Sequence, residues 1–189
     1  SVTIGDSIIH SGDTNTKIRF PAADTFTAET AGSERLRLTS NGKLLLGHST
    51  SRAVAGNTER TVQIEATDAA ASLSITRNSA NAGGPFLSLG KSRSASVGGS
   101  TVVNSGDVLG TISFAGADGT DVITRGADII GEVDGTPGSN DMPGRLTFST
   151  TPDGGSSPVE RMRISQNGNV TMPHQACMVF TNPVDVTNP

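Results

Sequence analysis

Three acidic residues in the second half of the chain have the types and spacing that acid–base chemistry uses. Glu132 and Asp134 flank Val133, so an extended strand places both carboxylates on one face, and Asp128 lies nearby in the sequence. Two carboxyl groups on one face could serve as the acid and the base of glycan cleavage. A solvated strand face beside a turn is the favoured interpretation, because the chain has no Trp or Tyr on which a sugar could stack.

Metal binding is the second chemistry that the polar residues could support. Three aspartates in glycine-rich turns could supply oxygen ligands to calcium, but their spacing matches neither an EF-hand nor a nonapeptide β-roll. These are Asp118, Asp121 and Asp153. Three histidines, His10, His48 and His174, are isolated in sequence, although three copies of one could hold a metal on a symmetry axis. We interpret the aspartates as turn residues and the histidines as ordinary side chains, and we predict neither a metal nor a cofactor.

No other signature of catalysis is present in the sequence. Cys177, the single cysteine, cannot form a disulfide within the chain and is interpreted as a small buried hydrophobic residue. The nucleophile-elbow, phosphate-loop and dinucleotide-binding patterns do not occur in a strand–turn–helix context. We therefore predict that the chain is not an enzyme and has no catalytic residue.

The elements that would position such residues are short of large apolar side chains. Leu, Ile, Val and Phe make up 41 of 189 residues, and there are 23 Gly, 9 Pro and no Trp or Tyr. This composition is close to that of disordered chains and leaves little material for a thick core. Thin β layers that bury their apolar faces against other copies of the chain are the favoured alternative to disorder.

Charge and hydropathy argue against two classes of partner. The net charge is −4, and Lys and Arg are interspersed with Asp and Glu, so the sequence contains no basic stripe for phosphates. No apolar run approaches the roughly 18 residues that span a bilayer. We predict no nucleic-acid partner and no membrane insertion.

One stretch occurs twice and organises the predicted fold. Residues 34–44, ERLRLTSNGKL, return as residues 160–170, ERMRISQNGNV, with five identical positions. Each copy alternates apolar and charged residues, as a strand with one buried face does. The Asn-Gly pair predicts a hairpin through a type I′ turn, which needs positive φ at both central residues. We expect the apolar residues of each copy to point inward and the arginines, such as Arg35 and Arg37, to point outward into solvent, where Glu29 or Glu34 of the same or a neighbouring chain could pair with them.

The rest of the chain shows similar short alternating segments, which predict an all-β fold with little or no helix. Strands are predicted over 17–20, 25–29, 61–65, 72–76, 86–89, 111–114, 129–133 and 145–148, and one helical turn over 68–71. The segments 18–20 and 146–148 precede the two copies by about the same interval, so these two strands are predicted to be equivalent.

The predicted organisation is two similar blocks that frame a middle segment. An N-terminal block covers 1–55, a middle β segment covers 56–107 with a flexible loop over 91–100, and a C-terminal block covers 108–172. Residues 173–189 contain Asn-Pro twice and are predicted to be a connector to a missing tip.

Neither block has enough apolar area to fold alone, which predicts self-association. Four or five inward side chains at about 2 kcal/mol each do not offset an ordering cost of about 1.5 kcal/mol per residue over roughly thirty residues. We predict an elongated, intertwined homotrimer with short strands, similar to a β-prism or a triple β-helix. Its predicted interface consists of Ile18, Phe20, Leu36, Leu38, Leu146, Phe148, Met162 and Ile164.

Several motifs that follow one another in a fixed order resemble the repeat segments of tail fibres of tailed bacteriophages, especially marine ones. They are TKIRFPAADTF at 16–26, the two ERxRxxxNG copies, GKSR at 90–93, GADGTD at 116–121 and DGTPGSNDMPGRL at 134–146. Together these motifs are spread over most of residues 14–170.

The resemblance implies a trimeric, β-rich shaft or receptor-binding segment of a virion tail fibre, which lies outside the host cell when assembled. Its implied partners are copies of itself, other phage tail or baseplate proteins, and a host-surface glycan or protein reached through the tip. Candidates for direct receptor contact lie in loops and are Lys91, Arg93, Asp118 and Asp121. A tailspike that degrades polysaccharide and a bacterial trimeric adhesin stalk remain alternatives.

Overall fold

The computed structural model describes residues 1–173, and there the chain forms only β-strands, turns and irregular segments. It divides into two compact units, Ser1–Leu87 and a second that begins at Ser88, with one sheet in each. The prediction of an all-β fold with little or no helix is confirmed. Nothing in this part of the chain qualifies as a helix that could cross a membrane.

Six strands form the sheet of the first unit. They are Ser7–His10 (β1), Asp13–Arg19 (β2), Phe26–Thr30 (β3), Ser33–Leu38 (β4), Leu44–Leu46 (β5) and Val62–Ile64 (β6). The strands lie side by side in chain order, antiparallel from β1 to β5, and β6 pairs with β5 in parallel. Antiparallel neighbours can be joined by tight turns, whereas the parallel pair requires the longer connection between β5 and β6.

The Asn-Gly turn between β4 and β5 closes the predicted hairpin with a different geometry. Gly42 has a φ of 78°, whereas Asn41 is not among the residues with positive φ. The Gly42 amide donates to the carbonyl of Thr39, and the Thr39 amide donates to the carbonyl of Lys43. This is a three-residue loop in which a left-handed glycine completes the turn, so the type I′ prediction is wrong. The Thr39 hydroxyl favours the longer loop because it accepts the Lys43 amide at 2.9 Å.

Five strands form the sheet of the second unit. They are Val108–Ala115 (β7), Arg125–Val133 (β8), Gly144–Thr150 (β9), Val159–Ile164 (β10) and Val170–Thr171 (β11). All neighbours are antiparallel, in the order β11-β10-β9-β8-β7. The repeated sequence therefore forms the same kind of hairpin twice, as β4–β5 and as β10–β11. Gly168 closes the second hairpin with a φ of 78° and the same pair of backbone hydrogen bonds.

Strand β9 is equivalent to β3, and the predicted equivalence of 18–20 with 146–148 is wrong. Leu146 lies opposite Ile164 on β10, and the residue in the same place opposite Leu38 on β4 is Phe26. The sequence intervals were misleading because a two-residue turn joins β3 to β4, whereas a longer loop joins β9 to β10.

The middle of the chain contains fewer strands than the sequence predicts. The structure has no strand between Ile64 and Val108, so the strands predicted over 72–76 and 86–89 do not form within the single chain. Both segments retain an alternating sequence, but neither makes a main-chain hydrogen bond to a strand of its own chain.

The region predicted as a helical turn is a turn capped by a side chain. The Asp68 carboxylate accepts the Ala70 amide at 2.9 Å, which stabilises a turn that does not continue into a helix. The first compact unit continues to Leu87. The division into blocks 1–55, 56–107 and 108–172 stays a prediction.

Few large apolar side chains are buried within the chain. Among the described residues, Leu45, Val103 and Val133 are the buried hydrophobic side chains. The buried polar and charged residues are more numerous, namely Thr27, Glu29, Gln63, Asp128, Thr147 and Ser149. The core of each unit is therefore thin, as the composition predicts.

Gly47, directly after β5, offers a test of how closely the chain packs beside β6. Its φ is 82°, and an added methyl group would overlap the carbonyl oxygen of Glu65. Gly42 has a similar φ of 78° but open space around it. We expect Gly47→Ala to lower the Tm, followed by circular dichroism, by several degrees more than Gly42→Ala. Both variants carry a left-handed strain of about 1 kcal/mol, and only Gly47→Ala adds the clash. Equal Tm shifts would contradict the close contact with Glu65.

Candidate functional site

One face of the first sheet carries charged side chains that pair with one another. Glu29 is 9% exposed, and its two oxygens contact Lys17 Nζ and Arg19 Nη1, each at 3.3 Å. Arg37 donates to both oxygens of Glu34, at 2.8 and 2.7 Å. Two-point ion pairs of this kind hold both side chains in a fixed geometry. The charges on this face are therefore satisfied within a single chain.

The second sheet repeats this arrangement on the equivalent face. Arg163 donates to both oxygens of Glu160, at 2.6 and 2.7 Å, and this pair matches Arg37–Glu34 position by position. The repeated sequence thus produces the same ion pair in both units.

Arg37 pairs with Glu34, one of the two glutamates expected as its partner, and it is less exposed than expected. Its side chain is only 21% exposed, whereas the neighbouring Leu38 is 44% exposed. The reason is that Glu34 offers a partner on the same strand, so the guanidinium lies along the sheet. Arg35 is exposed as expected, and its Nε donates to the Thr30 hydroxyl at 3.1 Å.

The opposite face of the first sheet is apolar across nearly its whole width. The register places one row of side chains on neighbouring strands, namely Ile8, Ile18, Ala28, Leu36, Leu46 and Ile64. A second row consists of Phe26, Leu38, Leu44 and Val62. Residues of one row share a face because they are directly paired across the strands.

The second sheet has an equivalent apolar face. One row contains Ile112, Ile129, Phe148 and Met162, and the next contains Gly131, Leu146, Ile164 and Val170. We call these two surfaces the apolar faces of the first and second sheets.

All eight predicted interface residues belong to these apolar faces. Seven lie on strands, and Phe20 follows β2 with its ring centroid 6.2 Å from that of Phe26. Five are between 37% and 44% exposed, namely Ile18, Phe20, Leu38, Leu146 and Ile164. The other three, Leu36, Phe148 and Met162, are half-buried. Their contact with another chain stays a prediction.

Sequence reasoning missed several members of the apolar faces. Leu44 and Leu46 belong to the face, whereas Leu45 between them is fully buried on the charged side. Three consecutive leucines hide the period of two, so only the strand register could assign their sides. Ile112 and Ile129 were in predicted strands, and the alternation in those strands was the signal that could have identified them.

The carboxylates considered for glycan cleavage are held by an arginine. Arg145 donates to Glu132 at 2.7 Å and to Asp134 at 3.2 Å. Asp134 also accepts the Gln166 amide at 3.0 Å, and this bond, together with Arg145, lowers the pKa of Asp134. A general acid must carry a proton near the working pH, so the arrangement does not favour Asp134 in that role. The cluster instead connects β8, β9 and the turn after β10.

Asp128, the third of these acidic residues, has a separate partner. It is 3% exposed and accepts a hydrogen bond from Arg125 Nη1 at 2.6 Å. A buried carboxylate with a cationic partner is an ordinary structural ion pair, and the partner of Asp128 differs from that of Glu132 and Asp134.

Two of the candidate receptor-contact residues lie close together on the second unit. Arg93 donates to both oxygens of Asp107, at 2.6 and 2.7 Å, and the Asn104 amide donates to the same carboxylate at 2.9 Å. The bond from Arg93 is the main reason that the pKa of Asp107 lies far below its ordinary value. Lys91 Nζ donates to the carbonyl of Ser92 and has no carboxylate partner among the described residues.

The other two candidate receptor-contact residues organise a turn. The Asp118 carboxylate accepts the amides of Thr120 and Asp121 at 2.8 and 3.1 Å, and these bonds lower its pKa. Asp121 in turn accepts the Ile123 amide at 2.9 Å. This is the turn chemistry that the sequence favoured over calcium binding.

The remaining candidates for metal binding are dispersed. Within residues 1–173, His, Cys, Asp and Glu side chains form no group of three that could hold a metal ion. Asp153 lies in a turn in which the Gly155 amide donates to the Pro152 carbonyl. His174, Cys177 and the predicted connector beyond residue 173 lie outside the described residues.

The Arg93–Asp107 pair predicts a titration that can be measured. Because the folded-state pKa of Asp107 is depressed, the pair stabilises the fold above the ordinary carboxyl pKa of about 3.9. That stabilisation is lost as the pH falls through the folded-state pKa. We expect Arg93→Gln to raise the Asp107 pKa toward its ordinary value in an NMR titration of the carboxyl carbons. Lys91→Gln is the control, since Lys91 makes only a small contribution. An unchanged Asp107 titration in Arg93→Gln would contradict the pairing.

Comparisons with known proteins identify the fold. No family model matches the chain, and no curated protein matches it significantly. A similar solved structure is the carboxy-terminal domain of the bacteriophage T5 L-shaped tail fibre with its intramolecular chaperone domain. Its TM-score is 0.69 at 16% identity, over 94% of this chain and 55% of that chain.

A second solved structure is the carboxy-terminal domain of the same T5 fibre. It has a TM-score of 0.62 at 15% identity, over 94% of this chain and 80% of that chain. This chain thus spans about half the length of the first of these structures. The resemblance that the sequence motifs indicated is confirmed at the level of the fold, which is that of a bacteriophage tail-fibre domain.

Proposed function

We propose that this chain is a segment of a bacteriophage tail fibre, located in the virion tail, and that it acts as a homotrimer. In this role it is a structural protein that positions a host-receptor-binding tip. The observation that carries the proposal is the exposed apolar face of each sheet, which lies opposite a face whose charges are already paired. The fold of the T5 tail-fibre domain supports the assignment to a phage.

The accessible surface of the chain supports self-association. It measures 13600 Å², whereas a folded monomer of 19.2 kDa exposes roughly 8,400 Å². Residues 174–189 account for at most about 2,500 Å² of this surface, which is the value for a fully extended chain. After that allowance, the accessible surface still exceeds that of a folded monomer by more than about 2,500 Å². Each partner buries roughly 800 Å² in an interface of standard size, so the excess is in the range of obligate assemblies.

The distribution of side chains indicates which surface is buried between copies. Burying the charged faces would add nothing to ion pairs that already exist, whereas burying the apolar faces removes exposed Leu, Ile and Phe side chains from water. Closed cyclic symmetry lets every copy bury the same face. Three copies is the number that the resemblance to phage fibres implies.

The comparisons also bear on the place of the chain in a fibre. This chain covers 55% of the T5 structure that includes the chaperone domain and 80% of the other T5 structure. The larger share in the second structure supports the interpretation that this chain corresponds to the fibre domain and not to the chaperone. The proposed partners are other tail or baseplate proteins and, through the tip, a glycan or protein of the host surface.

Direct receptor contact is the second candidate function, and one observation favours it. The similar T5 domain is carboxy-terminal in its fibre, and the second unit of this chain has a groove lined by Lys91, Thr101, Val102, Pro137 and Met142. Lys91 could meet an acidic group of a host glycan there. Binding of the isolated segment to host cells, and its loss in Lys91→Gln, would distinguish this function from that of a shaft.

The depolymerase alternative has weaker support, because Glu132 and Asp134 are both paired with Arg145.

Two substitutions on the apolar faces test the assembly. We expect Leu38→Asp and Ile164→Asp to give monomers, because each would place an unpaired carboxylate between the copies. Light scattering coupled to size-exclusion chromatography should give three times 19.2 kDa for the unaltered chain and 19.2 kDa for the variants. Arg37→Ala, which removes an ion pair within the chain, should remain trimeric. A monomeric unaltered chain would overturn the proposal.

The two residues of β11 provide a matched pair for the same question. Val170 lies on the apolar face, and Thr171 lies beside Arg163 on the charged face; both are exposed in the single chain. We expect Val170→Asp to raise the concentration at which the trimer dissociates by at least about tenfold, because the carboxylate loses its water. Thr171→Asp should leave this concentration nearly unchanged. Equal effects would show that the two faces have been assigned the wrong way round.

A further inference from the structure

Residues 73–87 of the first unit have a main chain with almost no hydrogen-bonding partners. From Leu73 to Leu87, no main-chain amide or carbonyl bonds to another main-chain group. Only the Gly83 amide finds a side-chain acceptor, at 3.0 Å in Asn81. Main-chain groups are strong donors and acceptors that folded proteins pair almost completely once water is excluded. The segment therefore presents a long series of free donors and acceptors.

A single side chain organises the middle of this segment. Asn81 Oδ1 accepts Arg77 Nη2 at 3.2 Å and the Ser79 hydroxyl at 3.1 Å, besides the Gly83 amide. These contacts form a turn between two arms, 72–77 and 84–87, which have no secondary structure of their own. The two arms do not pair with each other.

The arms expose large apolar side chains to a degree that a flexible linker does not. Leu73 is 71% exposed, Phe86 is 79% exposed and Leu87 is 70% exposed. In the first arm, Leu73 and Ile75 alternate with Ser and Thr, which is the pattern of a strand with one covered face. Flexible linkers are instead composed mainly of Gly, Ser and charged residues. The sequence of the first arm is that of a strand, and this arm has no main-chain hydrogen bond to a strand of the single chain.

We propose that residues 72–87, the exchange segment, form β-strands with the neighbouring copies of this chain. The inference rests on the proposed trimer and adds where the chains exchange main-chain hydrogen bonds. It also explains why the strand predicted over 72–76 does not form in one chain alone.

Two observations favour another copy of this chain as the partner. A groove runs from the edge of the apolar face of the first sheet to Ser72, so copies that cover this face also reach the exchange segment. Its lining combines apolar residues with charged ones, namely Leu46, Ile64 and Ala70 with Arg35, Glu65 and Asp68. The only charged residue between 72 and 87 is Arg77, which already bonds to Asn81. Identical segments can therefore lie side by side with little repulsion between like charges.

Amide hydrogen exchange of the full chain tests the pairing directly. We expect the amides of residues 73–77 and of Gly84, Phe86 and Leu87 to exchange roughly 100-fold or more slowly than those of an unpaired chain, because hydrogen-bonded strands open rarely. In the monomer expected from Ile164→Asp, this protection should disappear. Fast exchange in the trimer, or protection that persists in the monomer, would overturn the inference.

Two aspartate substitutions provide an independent test with a matched control. Val97 is the control residue, because at 108% it is even more exposed in the single chain than Leu87. It lies in a turn in which the Gly99 amide donates to the Ser96 carbonyl. If Leu87 is covered by a neighbouring copy, Leu87→Asp should lower the trimer fraction in light scattering at least about tenfold, while Val97→Asp should not change it. Equal behaviour of the two variants would overturn the inference.

The failure of this inference can be distinguished from the failure of the proposed function. A monomeric unaltered chain refutes the trimer and the exchange segment together. A trimer whose residues 73–87 exchange rapidly, and which tolerates Leu87→Asp, retains the proposed function and refutes only the exchange of strands.

Discussion

The ion pair between an arginine and a glutamate three residues before it determines which side of each sheet is left for assembly. Arg37 with Glu34, and Arg163 with Glu160, make two-point contacts along a single strand. Residues three apart in a regular strand lie on opposite faces, but a bulge at Arg35 in β4 and at Arg161 in β10 brings both partners of each pair to one face. The leucines of β4 and their counterparts in β10 lie on the other face. An exposed pair contributes at most about 1 kcal/mol, so its main effect here is on the register and the side. The same sequence used twice therefore gives two sheets with the same charged and apolar faces.

Because large apolar residues are scarce, the division of each sheet into a charged and an apolar face matters for the stability of the fold. Leu45, Val103 and Val133 are the buried hydrophobic side chains of the described residues, and the apolar faces remain half exposed. Within each unit, the described residues leave Leu, Ile and Phe side chains of the apolar face exposed, so they do not complete a second layer over the sheet. In the proposed trimer, other copies of the chain supply that layer.

The acidic residues that could have suggested an enzyme are used to hold the fold. Arg145 binds Glu132 and Asp134 together, and Asp118 accepts the amides of its own turn. The candidate receptor-contact residue Arg93 is likewise paired with Asp107. Most of the charged loop residues are thus explained by turns and ion pairs. Lys91 is the member of the predicted receptor set without a carboxylate partner in the described part of the chain.

The sequence by itself determined the all-β class, the repeated hairpin and the apolar side of the repeat. Alternation with a period of two and the Asn-Gly pair are local signals, and they act without help from the rest of the chain. Only the tertiary structure decided the features that depend on neighbouring strands. One is that β3 is the counterpart of β9. Another is that Leu45 is buried on the charged side, whereas Leu44 and Leu46 belong to the apolar face. It also decided that Arg37 lies along the sheet and that residues 72–76 have no partner in their own chain. Register and pairing are contacts between segments far apart in sequence, and a local pattern cannot specify them.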